Sequence, residues 1–163
     1  MLEHVAAAHE LMPEQTQSSP APQHIAGPWS FDLPVNLCRA PGLSANHSKR
    51  NVYGNNASVQ AVREAVVLRL ASLINRSRMP RRLRKVRVDV TWFVDDKRHR
   101  DPNNLAPLAK AICDAIGSNR GRGVHLVPDD RPQYMDQAAP QIIYRPGQTP
   151  GFTVTITNLG GQP

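Results

Sequence analysis

Between Ser58 and Trp92 the hydrophobic pattern changes its period, and that change restricts the fold more than any other feature of the chain. Val62, Ala65, Val66, Leu70, Leu73 and Ile74 recur at spacings of three and four, the signature of an amphipathic helix. Ser58 is placed to cap its start, and the helix is expected to end near Arg78 because Pro80 follows. Beyond that proline, Val86, Val88, Val90 and Trp92 alternate with Lys85, Arg87, Asp89 and Thr91, which predicts a strand with one face in the core and one charged face. A long helix running into a half-buried strand requires a layer of helix laid on a sheet.

The flanking segments extend this pattern. Trp29-Ser30-Phe31-Asp32-Leu33 alternates before Pro34 and predicts a first strand. Leu105 to Ile116 reads as a second helix, ended by the Gly-rich stretch 117–123, with a kink or late start expected at Pro107. Two more strands are expected near Gln141–Tyr144 and Phe152–Thr157. The order β-α-β-α-β-β predicts a two-layer α+β fold, a small mixed sheet with two main helices on one face. Residues 1–27, with Ala6, Ala7 and Ala8 followed by Gln, Ser and Pro, read as a disordered tail, leaving residues 28–160 as a single domain.

Composition narrows the partner. The 163 residues carry 20 Lys and Arg against 13 Asp and Glu, a net charge of +7, which points to a polyanion. Ten of those twenty cations fall between Arg76 and Arg100, so the charge forms a patch. Cys38 and Cys113 match no metal or disulfide spacing and are expected to be reduced and buried. His47, His99 and His125 likewise lack ligand spacing. No apolar run approaches the roughly 20 residues that cross a bilayer, and a cytoplasmic location is expected, with no membrane partner and no small-molecule cofactor.

The basic patch stops at an acidic, amide-rich turn, Asp95-Asp96-Lys97-Arg98-His99-Arg100-Asp101-Pro102-Asn103-Asn104-Leu105, and the pair Asp129-Asp130 follows the next helix. Carboxylates surrounded by cations suit phosphodiester chemistry: oxygen ligands hold Mg²⁺, while Lys and Arg neutralise phosphates. On a helix from Asn103, positions 103, 110 and 114 are seven and eleven residues apart, which at about 100° per residue places Asn103, Lys110 and Asp114 on one stripe. Structural readings stand beside these. Asp101 before Pro102 is a good helix cap, Asp129-Asp130 between prolines suits a turn, and Lys110 suits a solvated helix face.

Together these residues resemble the RusA family of Holliday-junction resolvases. Arg98-His99-Arg100-Asp101-Pro102-Asn103-Asn104-Leu105 is similar to that family's arginine run followed by Asp-x-Asp-Asn-Leu. Lys110 to Asp114 resembles the helical Lys-x-x-x-Asp that follows, Asp129-Asp130 its later acidic pair, and Ser44-Ala45-Asn46 its N-terminal Ser-x-Asn segment. The resemblance spans roughly residues 29–159. It implies a Mg²⁺-dependent endodeoxyribonuclease, with Mn²⁺ as a substitute, that nicks four-way DNA junctions symmetrically as a homodimer. It further implies metal ligation by Asp101, Asn103, Asp129 and Asp130, assistance from Lys110, and DNA binding by Asn46, Lys49, Lys97, Arg98, His99 and Arg100. Two departures stand out. Asn103 replaces an aspartate, and three additional residues, Pro107 among them, separate the motif from Lys110. Two other readings follow from the same residues: a non-catalytic branched-DNA-binding protein with a degenerate metal site, and an RNA-binding or RNA-cutting domain, which the aromatic content of 5% disfavours.

Overall fold

The computed structural model describes residues 27–40, 42–46, 52–76, 78–117 and 123–160. The expected tail lies outside them apart from Gly27. The fold is mixed α+β. Five strands, β1 (Trp29–Leu33), β2 (Val86–Val94), β3 (Met135–Gln137), β4 (Gln141–Tyr144) and β5 (Gly151–Asn158), form one sheet, accompanied by the helices α1 (Val35–Cys38), α2 (Val52–Asn75) and α3 (Ala106–Gly117).

In the sheet, β5 lies antiparallel between β1 and β2, and the other edge of β2 pairs in parallel first with β3 and then with β4. The alternation read in the sequence becomes rows of apolar side chains across one face. Trp29, Ile156 and Val88 form one row, Phe31, Val154 and Val90 the next, and Leu33, Phe152 and Trp92 a third. Each member of the first two rows is buried. The opposite face carries Ser30, Asp32, Arg87 and Thr155, so among the described residues only the apolar face is covered. Covering it are α2, through Val62, Val66 and Leu70, and α3, through Leu108, Ala111, Ile112 and Ala115, which pack on each other as well as on the strands.

Helix α1 is additional to the sequence expectation, and three further details bear on it. Helix α2 starts at Val52, six residues ahead of Ser58, and ends at Asn75, where Arg78 N–H donates to the Leu73 carbonyl at 3.0 Å and the last turn widens before Pro80. At α3 the late start expected near Pro107 is found: a 3-10 turn over Pro102–Leu105 precedes the helix, so Pro107 falls in its first turn, where its missing N–H would have had no intrahelical partner. Strand β3 is additional: three residues suffice because the edge of β2 supplies the hydrogen bonds.

Candidate active site

The acidic residues gather where α3 ends. At i and i+4 on α3, Lys110 Nζ donates to Asp114 Oδ1 at 3.1 Å. Arg63, reaching across from α2, donates to the other oxygen of Asp114. The Asp114 side chain is only 15% exposed. Burial raises its pKa, but the hydrogen bonds from Lys110 and Arg63 outweigh it and hold the carboxyl below the usual range. Asp114 in turn holds the Lys110 ammonium above its usual range.

The Asp129-Asp130 turn is brought to the same place by backbone. Val124 N–H and Leu126 N–H donate to the carbonyls of Ala115 and Ile116, both at 3.0 Å, and fold the chain back along the end of α3. Gly117 lets the two segments touch, since a Cβ there would stand 3.0 Å from the Asp129 carbonyl. Within the turn, Asp129 Oδ1 accepts from Asp130 N–H at 2.8 Å, and Asp129 Oδ2 accepts from Arg131 Nε at 2.6 Å. The Asp130 carboxyl is pushed above its usual range, chiefly by its hydrogen bond to the Asp129 carboxylate, then by burial and by Asp114. Asp129 is lowered by the same bond and by Arg131. Three carboxyls thus adjoin in a row, Asp129 to Asp130 to Asp114, flanked by Arg131, Lys110 and Arg63. They do not converge: among the described residues, no group of three His, Cys, Asp or Glu side chains is placed to hold a metal ion.

The arginine-rich turn is organised by Asp96. Its carboxylate accepts from Arg98 N–H at 3.0 Å and from Arg100 Nη2 at 2.8 Å, and the Arg100 bond in particular holds its pKa at about 2. Arg98 and Lys97 remain exposed, the latter with its ammonium 5.4 Å from the Tyr144 ring centroid. Asp101 caps the 3-10 turn, its Oδ1 accepting from Asn103 N–H at 2.9 Å. The capping geometry therefore exists, and it leaves Asp101 Oδ2 uncommitted among the described residues. Asp101 and Asn103 are exposed at the start of the helical segment, with Asn103 roughly 12 Å along the axis from Lys110. Asp114 lies a further turn along α3, about 6 Å more, so one ion could not bind Asn103 and Asp114 together. The loop bearing Asn46 is tied to the motif by Ala45 N–H donating to the Asn104 carbonyl at 3.2 Å. Lys49 lies outside the described residues.

A cavity of about 430 Å³ opens beside this turn, with His99, Arg100, Asp101 and Asn104 on one side and Trp92 and Arg39 on another. The Trp92 ring stacks on Phe152 at 5.2 Å and meets the guanidiniums of both Arg100 at 5.0 Å and Arg39 at 5.5 Å. Sequence reasoning assigned no role to Arg63, Arg39 or Trp92. The first pairs with a residue 51 positions away, a distance at which no periodicity signals contact.

The site defines a class: a basic two-layer α+β domain with a row of carboxyls beside an arginine-rich turn. No family model matches the chain, and no curated protein is significantly similar to it.

Proposed function

We propose that the protein is a Mg²⁺-dependent, structure-specific endodeoxyribonuclease that resolves four-way DNA junctions by paired nicks, acting as a homodimer in the cytoplasm of a bacterial cell. The supporting observation is that the Asp129-Asp130 turn meets the Lys110–Asp114 face of α3, so that oxygen donors and cations from separate sequence segments share one surface. The donor set fits a hard divalent cation, since all of its ligating atoms are oxygens and Asp130 sits among carboxylates whose repulsion a cation would relieve. Mg²⁺, or Mn²⁺, would be held by Asp130 and Asp129, whereas Asp101 and Asn103 stand at the other end of the helical segment, too far away to ligate the same ion. When bound, it supplies a polarised phosphate and an activated water. The chain's own residues do the rest. Lys110 neutralises charge developing on the phosphate, while Lys97, Arg98, His99, Arg100 and Asn46 hold the flanking backbone. A two-fold protein matches the two-fold symmetry of a junction.

A second reading has its own support. Arg131 already engages Asp129, and Lys110 and Arg63 engage Asp114, an arrangement that suits a branched-DNA-binding protein without catalysis. Cleavage of a labelled four-way junction, beside linear duplex of the same sequence, decides between them. With Mg²⁺ or Mn²⁺ the wild type should make symmetric nicks confined to the junction. EDTA should abolish them, and Asp130→Asn should reduce them at least a hundredfold, by about 2.7 kcal/mol or more of lost transition-state stabilisation. Junction binding with no cut under either metal would give the protein to the second reading.

A further inference from the structure

We infer that the cavity beside Trp92 receives one unpaired nucleotide of the DNA, its base against the indole and its phosphate between Arg39 and Arg100. The inference rests on the reading of DNA as the substrate. Four observations carry it. First, about 430 Å³ lies within the range of roughly 300–1,000 Å³ typical of sites that enclose a small molecule. Second, the walls divide as a nucleotide does: Cys38, Leu43 and Leu105 are buried and apolar, while Ser44, Asn104 and Asp101 carry donors and acceptors suited to a base edge.

Third, two guanidiniums crowd one aromatic ring. Arg100 has Asp96 as its counter-ion, but Arg39 has no carboxylate partner among the described residues, and it is exposed. Like charges drawn to one indole are best relieved by an anion between them, and guanidinium matches phosphate in a bidentate fork. Fourth, the Trp92 Nε1–H is shut from solvent with no hydrogen-bond partner, one of two such buried side-chain atoms among the described residues. An unmade bond of this kind is unfavourable and uncommon, and a ligand that rearranges the residues around the indole would relieve it. When the phosphate draws the guanidiniums off the ring, the base takes the place they leave over the indole. A paired base cannot do this, because its faces are covered within the duplex stack.

The test uses the full chain in EDTA, so that no strand is cut. The probes are a duplex with a single-nucleotide bulge, the same duplex with an abasic bulge, the fully paired duplex, and a free deoxynucleoside monophosphate. The expected results are quenching of tryptophan emission by the bulged duplex alone, and binding at least about fivefold tighter to it than to the abasic form. Arg39→Gln alters an exposed side chain and should lower the slope of log K against log salt by about 1. Trp92→Ala should erase the preference for the bulged base. If that variant fails to fold, because Trp92 stacks on Phe152, Arg39→Gln and the probe series still decide. Equal affinity for base and abasic bulges with unchanged emission would overturn the inference, and so would equal affinity for the free nucleotide, which would assign the pocket to a small molecule. The two functional statements fail separately. Quenching by the bulge without junction cleavage sinks the nuclease and keeps the pocket, whereas cleavage without quenching does the reverse.

Discussion

Replacing Gly117 by alanine tests whether the end of α3 positions the acidic turn. A Cβ at that position would lie 2.9 Å from Met135 Cε and 3.0 Å from both the carbonyl carbon and the carbonyl oxygen of Asp129. The methionine can swing away, since its terminal methyl is flexible. The Asp129 backbone has less freedom, because Leu126 N–H is bonded to Ile116 on one side and Tyr134 N–H to Arg131 on the other. Overpacking of this kind costs about 1–3 kcal/mol, while alanine in place of glycine in a helix returns up to about 1 kcal/mol. The net is a loss of about 1–2 kcal/mol, equivalent to a fall in Tm of about 4–7 °C for a domain of this size. Gly151→Ala is the control. A Cβ there would meet nothing within 4 Å, so its Tm should hold or rise slightly. Thermal unfolding followed by circular dichroism measures both. A Gly117→Ala protein as stable as wild type would refute the close approach, and with it the account of how Asp129 and Asp130 are placed. Well below its Tm, the variant should still lose junction cleavage out of proportion to its small unfolded fraction.

Other outcomes follow from the same structure. Leu108 is 0% exposed between helix and sheet, so Leu108→Ala should lower unfolding stability by about 2–5 kcal/mol in a urea titration; a loss under 1 kcal/mol would contradict its burial. Burial raises the Cys38 and Cys113 thiols to about 12, so neither should react with a thiol reagent at pH 8 until the chain is denatured, when both should. The Asp96 carboxyl is held at about 2, chiefly by Arg100, below its ordinary 3.8. Its contribution to stability is therefore present above about pH 4 and is lost as pH falls towards 2. Denaturant midpoints of wild type and Asp96→Asn should differ at pH 7 and converge at pH 2, and a constant offset across that range would disprove the assignment.

What could be read from the sequence follows the reach of each interaction. Strand β1 matches its expected bounds because period-two alternation is local and Pro34 marks its end. The Lys110–Asp114 pair is legible for the same reason, as neighbours on one helix face. The cap by Asp101 was foreseeable from Asp-Pro alone. The start of α2 was not: Gly54, Asn55 and Asn56 are poor helix formers, yet the helix runs through them. Strand β3 has too few residues to show a period, and it exists because β2 had an open edge. Arg63 reads as one more cation on an amphipathic helix until α3 is laid beside it. Trp92 reads as an ordinary strand residue until the arginine-rich turn folds over it. In both cases the sequence supplies the residue, and the third dimension supplies its neighbour.

The place of β5 in the sheet sets an order on how this chain can be assembled. The last strand in sequence is an interior strand, and β1, the first, has no other neighbour in the sheet among the described residues. Until residues 151–158 are available, Trp29, Phe31 and Leu33 have no strand to register against, and β2 presents a bare edge rich in valine. A ribosome-bound intermediate would expose that edge for the whole time it takes to make the last part of the domain, a window in which such a strand invites pairing with a second chain. The polar outer face of β2, where Arg87 and Asp89 are joined at 3.1 Å, is of the charged kind that limits such pairing.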